Sequence, residues 1–154
     1  MLRLIQSQSA VAVSAAVPMP APARALLVVD DESTLRSALR RFFTRRGWHV
    51  YEAEDGEQAR ALLLDGAVRG GGFDAVLTDL RMPRLNGMEL HALVARTAPD
   101  IARRFIFSSG DTGDDEAVAY LEHTLCSVIA KPFELGQLLA LVERIAADVA
   151  PPAH

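Results

Sequence analysis

The sequence of 154 residues contains very little cysteine and lysine. Cys126 is the single cysteine, which excludes an internal disulfide framework and a zinc site built on cysteines. Its apolar neighbours predict a buried, inert thiol. All 16 basic residues are arginine except Lys131. Because an ammonium on a slim stem suits a small anion site better than the wide arginine fork, Lys131 is a candidate site residue.

Long hydrophobic runs and a surplus of positive charge are also missing. No apolar run approaches the roughly 18 residues that a membrane helix needs. The formal net charge of -4 gives no reason to expect a basic surface for nucleic acid. We therefore expect a cytoplasmic protein that binds neither membranes nor nucleic acid.

The two ends of the chain differ from its middle. Pro18, Pro20 and Pro22 suit an extended arm, and polar residues interrupt the early part of a would-be secretory signal. We expect a flexible leader over residues 1–23, with a signal peptide as the alternative. Residues 150–154 are expected to form a disordered end, which leaves one domain over residues 24–149.

Short apolar runs alternate with longer amphipathic segments across this domain. The runs predict five strands: Ala25–Val29, His49–Ala53, Phe73–Thr78, Arg104–Phe107 and Leu125–Ala130. The segments between them predict five helices, beginning near Ser33, Glu57, Met88, Asp114 and Glu134. Strict alternation indicates an α/β fold, with a doubly wound five-stranded parallel sheet covered on both faces.

Charged and hydroxyl side chains follow these strands at their carboxyl ends. They are Asp30 and Asp31 after the first strand, Asp79 after the third, Ser109 after the fourth and Lys131 after the fifth. In a doubly wound sheet the ligand site lies at this edge. Three carboxylates repel one another, so Mg²⁺ is expected beside the one ammonium. Such a site suits phosphoryl transfer, and an Asp carboxylate can itself be the nucleophile.

The motifs around these residues resemble those of bacterial response-regulator receiver domains. They are Asp30-Asp31, Asp79 within Leu77-Thr78-Asp79-Leu80-Arg81-Met82-Pro83, Asn86-Gly87, Ser109-Gly110 and Lys131-Pro132-Phe133. The resemblance covers about residues 24–149, and segment 105–112 is also similar to receivers of hybrid histidine kinases. It implies a flavodoxin-like sheet with strand order 2-1-3-4-5.

The resemblance also implies a role for each site residue. Asp79 would be the phosphoacceptor, Lys131 would contact the phosphoryl oxygens, and Ser109 would be the hydroxyl that turns toward them. Mg²⁺ would be bound by three carboxylates and one backbone carbonyl, those of Asp30, Asp31, Asp79 and Arg81. The Lys131–Pro132 peptide bond would be cis.

The function implied is that of a stand-alone response regulator in a two-component system or phosphorelay. A sensor histidine kinase or a histidine phosphotransfer protein would phosphorylate Asp79, and the signal would pass by protein contact without an output domain. Apart from its own phosphorylation and dephosphorylation, the protein would not be an enzyme. A monomer or weak homodimer is expected, since Leu139 and Leu141 lie off the main apolar stripe of the last helix.

Some alternatives stay open. A haloacid-dehalogenase-like phosphatase also forms an aspartyl phosphate on a doubly wound sheet, but it needs a second Asp where this chain has Arg81. A degenerate receiver that only binds partners conflicts with the intact charged cluster. Ser108 competes with Ser109 for the hydroxyl role. Val128 replaces the aromatic residue that the family usually has three positions before the lysine, so output must use backbone movement or another side chain.

Overall fold

The computed structural model describes residues 24–65, 72–110 and 115–148. The expected leader (1–23) and the expected disordered end (150–154) lie outside these residues, as does Asp114, the predicted start of the fourth helix. Both end segments therefore stay predictions.

The described residues form one parallel sheet of five strands. These are β1 (Ala25–Val29), β2 (His49–Ala53), β3 (Ala75–Asp79), β4 (Phe105–Ser109) and β5 (Ser127–Ala130). Their order across the sheet is β2-β1-β3-β4-β5, with every neighbouring pair parallel. The predicted fold class and strand order are confirmed. The order reverses between β1 and β3, which opens a crevice at the carboxyl ends of these strands.

Six helices, one more than predicted, cover the sheet in the described part of the chain. They are α1 (Ser33–Thr44), α2 (Gly56–Leu64), α3 (Gly87–Thr97), α4 (Pro99–Ala102), α5 (Asp115–Thr124) and α6 (Leu135–Asp148). The extra helix is α4. Pro99 suggests an interruption, yet proline is favourable at the first position of a helix and here begins a short one. None of the described helices has the length and apolar character to cross a membrane.

Two local predictions were wrong. Phe73 is fully buried but precedes β3, which begins at Ala75. Leu125 has a φ of 61°, a left-handed conformation that cannot continue a strand, so β5 begins at Ser127. In α1, Phe43 is fully buried, and Phe42 is partly buried against the same apolar layer with its ring covered by the Arg46 guanidinium.

The sheet separates two apolar layers. One layer contains Leu27, Phe105 and Phe107 and lies beneath α2, α3 and α5. The other contains Leu26 and Leu138 and lies beneath α1 and α6. All five residues of β1 are buried, whereas β5 at the edge alternates between half-buried and exposed residues. The ends of the central strands therefore rest on a packed core, which fixes the side chains that follow them.

The loop between β3 and α3 is in tight backbone contact at two glycines. A Cβ atom added to Gly56 would overlap the carbonyl oxygen of Leu85 and lie 2.7 Å from the Leu85 Cβ. A Cβ atom added to Gly87 would overlap the carbonyl oxygen of Asp79. Because both contacts involve backbone, neither can be relieved by a side-chain rotation.

We expect Gly56→Ala to lower the free energy of unfolding by about 1–3 kcal/mol, since the added methyl group must displace the loop. Gly136→Ala in α6 is the matched control, because its Cβ would meet no atom within 4 Å. The control should leave stability unchanged or raise it by up to about 1 kcal/mol. Urea unfolding followed by circular dichroism measures both, and equal stability of the two variants would contradict the contact.

Candidate functional site

Strand β1 ends in two acidic residues with different surroundings. Asp30 is buried, and its Oδ1 accepts a hydrogen bond from the backbone N–H of Glu32 at 2.9 Å. The backbone carbonyl of Asp30 accepts a hydrogen bond from the Arg36 guanidinium at 2.7 Å. Asp31 is exposed. One carboxylate is therefore fixed inside the crevice, while its neighbour faces the solvent side.

Asp79 is the last residue of β3, and only 14% of its side chain is exposed. Its Oδ1 accepts a hydrogen bond from the backbone N–H of Arg81 at 3.2 Å. Its Oδ2 accepts a hydrogen bond from the Lys131 ammonium at 3.1 Å. A hydrogen bond to each of its two oxygens thus fixes the orientation of the Asp79 carboxylate.

Lys131 follows β5 and reaches across the ends of the strands. Its Nζ donates to Oδ2 of Asp30 at 2.8 Å as well as to Asp79. Its backbone N–H donates to the carbonyl of Ser109 at 2.9 Å. The Lys131–Pro132 peptide bond is cis, which confirms that prediction. The ammonium therefore bridges two carboxylates that belong to different strands.

The three carboxylates lie close enough together to share a cation. Carboxylate oxygens of Asp30, Asp31 and Asp79 lie within 4.8 Å of one another. Oxygen ligands bind Mg²⁺ at about 2.1 Å, so opposite ligands lie about 4.2 Å apart and small side-chain movements would suffice. A cavity of about 310 Å³ adjoins this cluster and is lined by Asp31, Arg81, Met82, Pro83 and Asn86. The donor set fits a hard divalent ion, and the role of the Arg81 carbonyl stays a prediction.

The pKa values of the site follow from burial and charge. Burial raises the pKa of Asp79, with a further increase from Asp30, and this outweighs the hydrogen bonds from Arg81 and Lys131. Burial alone would lower the pKa of Lys131, but its hydrogen bonds to Asp30 and Asp79 raise it overall. The lysine is therefore fully charged near neutral pH. Burial, more than repulsion from Asp30, is therefore the reason why the charged form of Asp79 is disfavoured.

The two serines at the end of β4 occupy different positions. Ser108 pairs in register with Asp79, whereas Ser109 lies one residue nearer the carboxyl edge of the sheet. Both residues are buried. Successive side chains of a strand point to opposite faces, so the two hydroxyls cannot serve interchangeably. The predicted role of Ser109 stays a prediction.

A second polar cluster, which the sequence did not predict, connects α3 and α5. His91 is buried, with its Nδ1 at 2.6 Å from the Tyr120 hydroxyl and its Nε2 at 3.4 Å from the Cys126 sulfur. Burial lowers the pKa of His91 and raises that of Cys126, so both are neutral near pH 7. This agrees with an inert thiol, although Cys126 is only half-buried.

Sequence reasoning also missed an ion pair beside the site, between Arg84 in the β3–α3 loop and Asp55 at the start of α2. The two residues lie 29 positions apart. The sequence signal available was Asp55-Gly56 before an amphipathic run, which predicts an N-cap but not its arginine partner.

Val128 lies on the edge strand β5, with 45% of its surface exposed. It stands three residues before Lys131, as the sequence indicated. Its aliphatic side chain cannot provide the ring movement that an aromatic residue would provide there.

Comparison with known proteins agrees with this geometry. The family model for the response regulator receiver domain matches residues 26–143. The response regulator MprA of Mycobacterium sp. (strain KMS) is 33% identical over 130 residues, which cover 82% of this chain and 54% of the relative. The sensor kinase CckA of Brucella abortus (strain 2308) is 33% identical over 120 residues, covering 78% of this chain and 12% of the kinase.

A solved structure is similar in both sequence and fold. The crystal structure of a response regulator receiver protein from Pseudomonas putida is 33% identical, with a TM-score of 0.68, and the match covers 80% of this chain and 98% of that one. This chain spans about half the length of its MprA relative. From the match over most of its length, the strand order and the acidic cluster, we conclude that the chain belongs to the response regulator receiver domain family.

Proposed function

We propose that the protein is a phosphoacceptor in a two-component system or phosphorelay, phosphorylated on Asp79. The observation that supports this most strongly is the Lys131 ammonium, which contacts Asp79 and Asp30 inside a cluster of three carboxylates. Receiver domains of this family act generally as signalling modules that interact with histidine kinases and phosphotransfer proteins. They bind Mg²⁺ at an acidic pocket, and the cluster of Asp30, Asp31 and Asp79 supports the proposal of such a pocket here.

The proposed transfer uses a carboxylate oxygen of Asp79 as the nucleophile. The oxygen forms a bond to phosphorus while the bond between phosphorus and the donor's histidine nitrogen breaks, and the bonding electrons return to the imidazole. Two hydrogen bonds, from the Arg81 backbone N–H and the Lys131 ammonium, hold the carboxylate in place before the reaction. Pre-positioning of this kind supplies much of the catalysis in phosphoryl transfer.

Charge balance explains why a metal ion belongs in this proposal. Mg²⁺ would be held by the carboxylates of Asp30, Asp31 and Asp79 and the Arg81 carbonyl, and would neutralise charge on the phosphoryl oxygens. Lys131 would keep its contact with Asp30 and turn from the free carboxylate toward the phosphoryl oxygens. Ser109 would then hydrogen-bond the same group from the end of β4.

The output of such a switch would pass through the ends of β4 and β5. The Lys131 backbone N–H is bonded to the Ser109 carbonyl, so a movement at either residue is transmitted to the other strand. Because Val128 has no ring, we propose that backbone movement carries the signal to α5 by shifting a pre-existing equilibrium.

A sensor histidine kinase or a histidine phosphotransfer protein is the proposed phosphoryl donor. The proposed location is the cytoplasm, and the proposed oligomeric state is a monomer or weak homodimer.

Phosphatase chemistry of the haloacid-dehalogenase kind has less support. It needs a general acid two residues after Asp79, where Arg81 is exposed, and no fourth carboxylate joins the cluster in the part of the chain that the structure describes.

Acetyl phosphate with Mg²⁺ should add one phosphoryl group to the wild-type protein and none to Asp79→Asn, because the amide removes the nucleophilic oxygen. Asp100→Asn is the matched control, since this exposed acid on α4 pairs only locally with Arg103. Intact-protein mass spectrometry measures the label. Equal labelling of wild type and Asp79→Asn would refute the proposal.

In EDTA at pH 7 we expect Asp79→Asn to be more stable than wild type. The raised pKa of Asp79 means that its contribution to stability is present below the unfolded value of 3.8 and is lost as pH rises through the folded value. The difference between the proteins should therefore shrink as pH falls toward 3.8. Saturating Mg²⁺ should reverse the order, because the ion stabilises the folded state that binds it. The midpoints of urea unfolding measure the difference, and a wild type that is more stable than Asp79→Asn in EDTA at every pH would contradict the burial penalty on the charged carboxylate.

Ser109→Ala should abolish the conformational response to beryllofluoride, whereas Ser108→Ala should retain it, because only Ser109 lies beyond the Asp79 register position. Amide hydrogen exchange of β5 and α5, with and without beryllofluoride and Mg²⁺, measures the response. The reverse pattern would assign the hydroxyl role to Ser108.

A further inference from the structure

The β3–α3 loop, residues 80–86, forms one wall of the acidic site. Four of the five residues that line the cavity beside Asp31 belong to it, and one of them is Arg81, the expected carbonyl ligand. The loop contains no regular secondary structure. Backbone hydrogen bonds hold its two ends, from Leu80 to the Ser108 carbonyl and from Gly87 to the Leu80 carbonyl, each at 3.2 Å. The position of the middle of the loop therefore depends on its contacts with neighbouring elements.

The middle of the loop is tied to helix α2 by a charged contact. The Arg84 guanidinium donates to Oδ2 of Asp55 through Nε at 3.0 Å and also through Nη2. Oδ1 of Asp55 accepts the backbone N–H of Gln58 at 2.9 Å and so caps α2. Only 3% of the Asp55 side chain is exposed, against 60% for Arg84. Because the helix holds this carboxylate, the arginine must follow it.

The backbone conformation of Arg84 is a second, independent indication that its side chain has a structural role. Its φ is 67°, in the left-handed region that residues other than glycine and asparagine seldom adopt. Glycine, which has no Cβ atom, would adopt this conformation with less strain. The neighbouring Leu85 carbonyl lies directly against Gly56, the first residue of α2. The loop is thus in contact with the start of α2 through both a side chain and the backbone.

We propose that the Arg84–Asp55 ion pair is a positioning clamp that holds the β3–α3 loop, and with it the Arg81 carbonyl, against the metal side of the site. Neither residue belongs to the three-carboxylate cluster or lines the cavity beside it. The clamp rests on the proposed function, because it acts on the Mg²⁺ affinity that phosphorylation of Asp79 requires. The Gln58 N–H and Arg84 lower the pKa of Asp55, so the pair stays charged throughout the neutral range.

Two single variants break the clamp without removing the helix cap. Arg84→Gln removes the guanidinium, and Asp55→Asn removes the carboxylate charge but keeps an oxygen that can cap α2 as well as aspartate does. Arg103→Gln is the matched control, since it breaks an exposed ion pair with Asp100 on α4. The Arg103–Asp100 pair is exposed on both sides and contributes little to stability, so the control should fold like wild type. Asp55 is buried, and Arg84→Gln leaves its carboxylate with the Gln58 N–H alone, so this variant should fold with some loss of stability.

The first measurement is the Mg²⁺ affinity of the full chain by isothermal titration calorimetry. Both clamp variants should need about 10-fold more Mg²⁺ for half-saturation, the size of effect typical of residues that orient a ligand. The double variant should be no weaker than either single variant, because the two residues act as one unit. Labelling by acetyl phosphate should recover toward the wild-type rate as Mg²⁺ approaches saturation. Arg103→Gln should match wild type throughout.

The second measurement needs no metal. In EDTA, amide hydrogen exchange of residues 80–86 should be faster in both clamp variants, with β1 and α1 unchanged. Arg84→Gly separates positioning from stability, because it relieves the strained backbone but removes the guanidinium. It should be at least as stable in urea as Arg84→Gln and should show the same weakened Mg²⁺ affinity.

The clamp is overturned if Arg84→Gln and Asp55→Asn fold normally and bind Mg²⁺ as wild type does, or if loop exchange is unchanged. It is also overturned if wild type binds no Mg²⁺. These outcomes differ from failure of the proposed function. Weakened Mg²⁺ binding in the variants without label on Asp79 of wild type would support the clamp and refute the phosphoacceptor, whereas normal labelling with unchanged affinities would refute the clamp alone.

Discussion

The contact on which the site depends is that of one ammonium with two carboxylates. Lys131 lies 2.8 Å from Asp30 and 3.1 Å from Asp79, so a single charge links the ends of β1, β3 and β5. It compensates part of the repulsion among three acids and leaves a negative excess that a hard cation can balance. The same lysine also connects to β4 through the Ser109 carbonyl. Lys131 therefore both compensates charge in the site and connects the ends of four strands.

Much of the fold and of the acidic cluster could be predicted from sequence because both follow from local patterns. An apolar run that ends in Asp79 or in Asp30 defines a buried parallel strand and also places its last carboxylate at the sheet edge. The rarity of lysine distinguished Lys131 without any structural knowledge. The order of the strands along the chain, with the rule that ligands bind at the carboxyl ends of such strands, is sufficient to predict both features.

The remaining features depend on tertiary contacts or on single backbone angles. Nothing near Leu125 in the sequence indicates its left-handed conformation, which shortens β5. The pairing of His91 with Tyr120 and that of Arg84 with Asp55 each join residues 29 positions apart, a separation that no periodicity encodes. Such contacts depend on how distant side chains pack in the folded protein, and the pattern of a single sequence does not reveal them.

The distance along the chain between the central partners has a consequence for biosynthesis. Asp30 and Lys131 are separated by 101 residues, and Asp79 and Lys131 by 52. A ribosome-bound chain that already carries all three acids still lacks their counter-charge until β5 has been made and has joined the sheet, a slow, long-range closure. Under the proposed function, an unfinished or truncated chain would lack the ammonium beside Asp79 and would be a poor substrate for the phosphoryl donor.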